Sequence, residues 1–493
     1  MIKTITTTIR FTSLIVILAY SIVLHAEQEG PEVLTLDAMI DKIVKNYASI
    51  TIASIEIERS RQEFAKVESQ LGWVLAAQAG LSHDVTFIDS PSDRFDAGAS
   101  IGRRYESGTQ FDVSGQFSHE DASVNFSPLV PNPSERARLD LNWRIPFGRG
   151  EDNPQYSQGK ITAESALQAQ TANQIFIIDN LIQQSINIYY DAAETYMRIL
   201  DADKAIERAN KLKKFIQRNM RLGLSEEKDI LIVQAQVDRL IAQRDLLYIA
   251  WSRQKSEINR LTGESMRRDF IPSAEYQEIS ELAEFTVLLE QVYGRDPQME
   301  FQKSQLKTAQ ASVMLAKDAQ QDQLDVVLSV GGRAAKGDTP TGTLSQEEWA
   351  GQAKLEYQYD LDKRGFDAQL YQAMLDKQKA EEELKKLEHD IQYSVDSLVQ
   401  QIHFNKRAVR SNKQRFDIEN KKLQEALRRY QEGRSDTREV IEFENDLFAS
   451  SLFYENQKLQ LARVYANLNL LLGRVWRSEV IQTPKVSAQG KPE

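Results

Sequence analysis

Apolar residues return every seventh position late in the chain: Val395, Ile402, Val409, Phe416, Leu423 and Tyr430, with Leu384, Ile391 and Leu398 on the companion position. A repeat sustained this long predicts a helix with a coiled-coil seam. Ile175, Ile182, Tyr189 and Tyr196 carry the same spacing earlier. No proline interrupts the stretches from about Gln158 to Leu222 and from about Phe366 to Glu432. Each predicts one helix on the order of 100 Å long, at about 1.5 Å per residue. Gly223 and Gly433 close the two runs, because glycine tolerates the left-handed conformation of a helix C-terminus. Ser225 and Ser435 then stand where a hydroxyl would cap the returning helices, which end near Gly263 and Gly473.

A second pattern has period two. Leu139, Leu141, Trp143 and Ile145 alternate with Asp140, Asn142 and Arg144, and Ala353, Leu355, Tyr357, Tyr359 and Leu361 with Lys354, Glu356, Gln358 and Asp360. Phe111, Val113 and Phe117 alternate with Asp112, Ser114, Gln116 and Ser118, and Asp325 and Ser329 punctuate Val326, Leu328 and Val330. Such alternation marks any half-buried strand, so a small soluble sheet packed on a helix is one reading. A membrane barrel is the other. Runs of about 9–12 residues suit a tilted spanning strand. The aromatics Trp143, Phe147, Tyr357 and Tyr359 fall toward strand ends, and the opposite face carries full charges suited to a watery lumen. Two hairpins supply four strands, whereas small membrane barrels need about eight. Open edges cannot face lipid, so closure requires several chains in a cyclic homo-oligomer.

The chain also repeats itself. Arg221 to Glu226 has its counterpart in Gln431 to Asp436, Asn259 to Gly263 in Asn469 to Gly473, and Asp229-Ile230-Leu231 in Glu439-Val440-Ile441, all 210 residues apart. Ile43 to Asn46 matches Val292 to Arg295 at an offset of 249, so the first half holds about 39 extra residues. We assign them to a hairpin, Phe95–Tyr105 and Thr109–His119 joined by Glu106-Ser107-Gly108, which either extends strands outward beyond the membrane, the favoured reading, or adds strands to the barrel; further strands are placed near 79–89 and 136–147. Asp121 to Ser134, with Pro128, Pro131 and Pro133, and Ala334 to Gln346 read as exposed loops. The expected organisation is a signal peptide at 1–26, an N-terminal helical segment at 27–78, a β insert at 79–150 and a long helical hairpin at 151–265. A linker with the first helix of the second repeat follows at 266–321, then a β insert at 322–362, a second long hairpin at 363–475 and a flexible tail at 476–493.

Composition narrows the function. Lys3 and Arg10 precede the apolar run Leu14 to Leu24, and Ala26 offers a small residue at the cut, which reads as a secretory signal rather than an anchor. Its removal takes the net charge from −11 to −13, and no later stretch is apolar enough to span a bilayer as a helix. An acidic chain lacks the clustered cationic face of a general nucleic-acid binder. With no cysteine there is no disulfide, thiolate metal site or cysteine nucleophile. His83, His119, His389 and His403 are scattered, Glu381-Glu382-Glu383 lies on a helix face beside lysines, and no catalytic motif, phosphate-binding glycine loop or proton relay appears. We therefore expect no catalytic residues, no metal and no cofactor. The rival to a channel is a periplasmic coiled-coil spacer or adaptor carrying a small soluble sheet.

An exported, duplicated chain with long helical hairpins and two β inserts resembles the TolC family of outer-membrane efflux proteins. The likeness covers nearly all of the mature chain and rests on Tyr430-Gln431-Glu432-Gly433-Arg434-Ser435, the terminal Leu471-Leu472-Gly473 and the strand-to-helix passage Leu355 to Gly365. The implied fold is an α+β membrane protein with an internal two-fold repeat. Coiled-coil helical hairpins form a periplasmic α-barrel, and short antiparallel strands complete a shared trimeric transmembrane β-barrel. The resemblance implies a homotrimer in outer-membrane lipid, partnered by a periplasmic adaptor and an inner-membrane pump, acting as a passive exit duct for efflux or type I secretion. It also implies a periplasmic gate of Glu439, Glu442, Asp229, Tyr430 and Arg434. Glu439 and Glu442, three residues apart, share a helix face. The arginine that the family places two residues past the tip glycine is Ser435 here, with Arg434 one position earlier. Gly223, Leu224 and Ser225, with Gly433, Arg434 and Ser435, match the adaptor-docking tips. Leu139, Leu141, Trp143, Leu355, Tyr357 and Tyr359 are the expected lipid-facing strand residues.

Overall fold

A computed structural model describes residues 32–86, 90–123, 131–223, 225–273 and 281–476. The expected signal peptide at 1–26, Pro128 of the proline-rich loop, Leu224 and nearly all of the tail lie outside these residues. In chain order come β1 (Glu32–Leu34), α1 (Leu36–Asn46), α2 (Ala48–Glu68), β2 (Val74–Thr86), β3 (Ser90–Arg104), β4 (Gln110–Ala122), β5 (Ser134–Pro146), α3 (Pro154–Arg221) and α4 (Glu227–Thr262). Then follow β6 (Phe270–Pro272), α5 (Phe285–Tyr293), α6 (Pro297–Ala319), β7 (Gln323–Thr339), β8 (Gly342–Gln358), α7 (Arg364–Gln431) and α8 (Thr437–Leu471). The chain divides into two compact units: residues 1–50, 177–295 and 391–483, and residues 51–176, 296–390 and 484–493.

The helical unit contains the heptad stripe of α7: Ile391, Val395, Ile402, Val409 and Leu423 are buried, and Phe416 packs beside them. Both α3 and α7 run for 68 residues, within a few residues of the proline-free stretches. The largest core cluster brings Met39, Ile40 and Ile43 of α1 onto Ile178, Ile182 and Ile186 of α3 and Trp251, Ile258 and Leu261 of α4. The Tyr189 hydroxyl sits 3.0 Å from the Leu34 carbonyl oxygen and 2.7 Å from that of Ser273. Burial raises its pKa, keeping the donor protonated. These carbonyls flank a parallel pair of short strands, β1 and β6, with Leu34 opposite Pro272. The sequence reading missed the pair, because three residues are too few to display alternation. No described helix is long and apolar enough to cross a membrane.

The second unit holds one antiparallel sheet of six strands in the order β2-β3-β4-β5-β7-β8. This corrects the sequence reading in two respects. The assigned hairpin does not lengthen the sheet: β3 pairs with β2 from Thr86↔Ser90 to Val74↔Gly102, and β4 pairs with β5 from Gln110↔Arg144 to Glu120↔Ser134, so the pair widens it. Residues 334–346 are not a loop either. They continue β7 and β8 around a tight turn, with Thr339 opposite Gly342. Polar side chains there looked like loop composition, but their backbone groups are satisfied strand to strand. Four helical segments accompany the sheet within this unit. A Cβ on Gly159 of α3 would lie 3.7 Å from Val67 of α2. Lys307 of α6 donates to Gln168 of α3 at 3.1 Å, and Val313 and Ala316 of α6 pack on Leu370 and Ala373 of α7.

Candidate functional site

Register decides which side chains share a face of the sheet. One lateral row reads Leu75, Ile101, Val113, Leu141, Val330 and Gly351, and the next reads Ala77, Ala99, Gly115, Leu139, Gly332 and Trp349. Leu139, Leu141, Trp143, Leu355 and Tyr357 all lie on this face, and all are exposed. Tyr359 falls past the end of β8, where the Lys363 ammonium sits 4.7 Å from its ring centroid. Aromatics gather toward both ends of the apolar face. Phe111 contacts Trp73 and Trp143 at centroid distances of 6.3 and 6.4 Å toward the helix-connected end, and Phe95 contacts Phe117 at 6.4 Å toward the other. The Tyr357 hydroxyl donates to Asp322 at 2.9 Å, an amphipathic placement suited to a membrane interface.

The opposite face is predominantly polar. Val74, Gly102, Asp112, Asn142, Ser329 and Gln352 form one row, and Gln78, Gly98, Gln116, Arg138, Arg333 and Glu348 another. Its charges are tied laterally. Arg144 reaches Asp325 at 2.8 Å and Glu356 at 3.0 Å; Asn142 donates to Asp112 at 3.0 Å and accepts from Ser329 at 2.7 Å. A face carrying so many charged and amide groups favours water, whereas the large exposed apolar face needs lipid or protein.

The hairpin tips belong to the helical unit. Gly223 and Gly433 both adopt left-handed conformations, φ +75° and +71°. A Cβ at either would meet nothing within 4 Å, so glycine is demanded by the backbone angle rather than by space. Neither expected serine cap forms. The N-caps are Glu226, in a capping box with Asp229, and Asp436, whose carboxylate accepts from the Glu439 amide at 2.8 Å. Carboxylates one residue further along take the role because they sit at the first extended residue before each helix. Ser435 instead donates to the Glu439 carboxylate at 2.6 Å. Ser225 directly precedes the capping residue Glu226.

The candidate gate residues each have local partners at the tips, where Tyr430 and Val440 share an apolar cluster with Ile230 and Val233. Asp229 is engaged with the Glu226 amide at 3.2 Å, while the Tyr430 hydroxyl lies 3.0 Å from that of Thr437 and its ring 5.6 Å from that of Phe215. Arg434 pairs with Glu432 at 2.5 Å on an exposed surface. Glu439 is half-buried, and Glu442 is exposed and free of ion pairs among the described residues. Sequence reasoning missed a polar layer joining the two hairpins. Arg208 of α3 donates to Glu444 of α8 at 2.8 Å, and Asn445 of α8 accepts from Gln236 and Arg239 of α4, each at 2.8 Å. Lys422 of α7 bridges Glu419 at 2.6 Å and Asp446 of α8 at 2.9 Å, and those two hydrogen bonds raise its pKa. The available signal was the consecutive polar run Glu444-Asn445-Asp446 within α8.

No family model matches the chain, and no curated protein matches its sequence. Solved structures do. The outer-membrane channel OprN aligns over 89% of this chain and 89% of its own at TM-score 0.65 and 14% identity. The outer membrane protein VceC from Vibrio cholerae aligns over 89% and 96% at 0.63 and 15% identity, and the outer-membrane channel MtrE of Neisseria gonorrhoeae, in its open state, over 89% and 88% at 0.59 and 15%. The fold is that of the outer-membrane channels.

Proposed function

We propose that this protein is the outer-membrane exit duct of a tripartite efflux or type I secretion system. One observation carries the reading: an antiparallel sheet with an exposed apolar face, aromatic ends, a charge-networked opposite face and two open edges, within the fold of outer-membrane channels. Water would penalise the apolar face and lipid would penalise the edges, so copies of the chain close the wall as a homotrimer. The repeated tips, alike in glycine conformation and spacing, dock a periplasmic adaptor that links the duct to an inner-membrane pump. Both halves derive from one duplicated unit, and the heptad stripes form coiled-coil seams of the periplasmic cylinder. The duct is passive; energy comes from the pump.

Glu439 and Glu442 ring its periplasmic entrance, with Tyr430, Asp229 and Arg434 bracing the surrounding turns and Arg208–Glu444 coupling the hairpins. Acidic rings favour cations. The spacer reading is disfavoured, since a soluble sheet would not leave Leu141, Trp143, Trp349 and Leu355 open. The test is single-channel conductance of detergent-extracted protein in a planar bilayer, for wild type and for Glu439→Gln with Glu442→Gln. A small cation-selective conductance that loses selectivity in the variant is expected. Unchanged selectivity removes the gate assignment, and a protein that stays soluble without detergent and never inserts removes the duct.

A further inference from the structure

The six-stranded sheet bears on the width of the duct. Four strands would have sufficed to connect the two helical halves, and β3 and β4 are inserted between β2 and β5 with their own lateral pairing intact. The insertion respects both faces. Ile101 and Val113 fill the row between Leu75 and Leu141, and Gly98 and Gln116 the row between Gln78 and Arg138. A hairpin lying outside the membrane would have no reason to continue an apolar row in register. The first and last strands, β2 and β8, have no pairing partner on their outer edges among the described residues. Each of the six strands is antiparallel to its neighbour, so β2 and β8 run in opposite directions. The β8 edge of one copy therefore meets the β2 edge of the next in antiparallel register, and every row carries on around a ring.

We propose that the β3–β4 hairpin widens the transmembrane barrel, so that three copies close an 18-stranded wall rather than a 12-stranded one; the inference rests on the exit-duct reading above. Arc lengths support it. Strands about 4.8 Å apart and tilted by about 40° each occupy about 6.3 Å of circumference, so six occupy about 38 Å and four only about 25 Å. The four helical segments beside the sheet, at about 8–10 Å each, occupy about 32–40 Å. Six strands match the helical layer of the same unit; four would force it to taper. Three copies give a circumference of about 110 Å and a backbone diameter of about 36 Å, about 1.5-fold that of 12 strands, since diameter grows roughly linearly with strand number. Barrels of 16–18 strands leave an aqueous channel. The wall then sets no limit on small solutes: it admits cargo of macromolecular width, and selection by size falls to the helical end.

The test combines native mass spectrometry with single-particle electron microscopy of the full chain in detergent, for wild type and for a deletion of residues 90–122. The deletion joins β2 to β5, which run antiparallel and already present Leu75 and Leu141 on one row, so the shortened sheet keeps its faces. Three copies with 18 strands, and a variant barrel about two-thirds as wide, are expected. A wild-type wall of twelve strands, from two copies or from three with the hairpin outside the wall, overturns the widening while leaving the duct intact. Wild type and variant barrels of equal diameter overturn it too. A protein that forms no ring and needs no detergent overturns the exit-duct reading and this inference with it.

Discussion

Replacing Leu141 by arginine, with Ser114→Arg as its partner experiment, separates a lipid-facing sheet from a soluble one. Leu141 sits near the middle of the 13-residue strand β5, flanked by Val113 and Val330, and is 45% exposed in the single chain. If that exposure is to hydrocarbon, an arginine there costs about 2–4 kcal/mol, the range for a cation on the lipid face near the bilayer midplane. At about 1.4 kcal/mol per decade this is roughly a 30- to 1,000-fold loss in the folding equilibrium. Ser114 lies one residue from Val113 on the opposite face, directly across from Asp140. An arginine there meets water and an acid, and its cost stays within about 0.5 kcal/mol, as for ordinary surface changes. Near an interface the lipid-face penalty falls to about 0–1 kcal/mol, so Leu81→Arg, whose row runs through Phe95 and His119 to Glu135 near the start of β5, gives an intermediate value. The assay is reversible urea unfolding in lipid vesicles at one fixed protein concentration, because assembly couples to stability. Equal costs at positions 141 and 114, or a larger cost at 114, would refute the assignment of faces.

Three further outcomes follow from the helical unit. Gly433→Val forces a β-branched residue to φ +71°, costing about 1–2 kcal/mol without any steric clash; we expect an inserted barrel that no longer supports efflux in cells, and unchanged efflux would leave the tips as plain helix ends. Glu444→Gln weakens the 2.8 Å bond from Arg208, a charged hydrogen bond worth about 1.5–3 kcal/mol; raised open probability is expected, and additive effects with Arg208→Gln in a double-mutant cycle would show the two are uncoupled. Hydrogen bonding from Arg268, with further attraction from Arg268 and Lys42, lowers the pKa of Glu32. Its contribution is present above the ordinary glutamate value and lost as pH falls through the lower native one, so Glu32→Gln flattens the acid limb of melting temperature against pH, and parallel limbs would contradict this.

Much of the architecture was legible from period alone. The α3 and α7 spans follow from uninterrupted heptads ended by glycine, because a buried stripe and a left-handed terminus are local demands. The faces of β5 and β8 were legible for the same reason: alternation is imposed by the pleat, whatever the strand pairs with. The tip caps were misread at Ser225 and Ser435, since capping depends on which residue takes the extended conformation, and Glu226 and Asp436 take it. Candidate gate residues were named from resemblance, and their partners Glu226, Thr437 and Ser435 emerged only once the turns were folded.

Sequence by itself determined the two long hairpins, the alternating strands and the positions of their glycine ends, since each follows from contacts or conformations within a few residues. Tertiary structure alone decided the strand order, the widening by β3 and β4, the parallel β1–β6 pair and the Arg208–Glu444 and Asn445 links. Those features join residues up to 238 positions apart. No local period encodes which distant edge or carboxylate a segment will meet; that choice is made by which pairing leaves fewest backbone groups and charges unsatisfied across the whole chain.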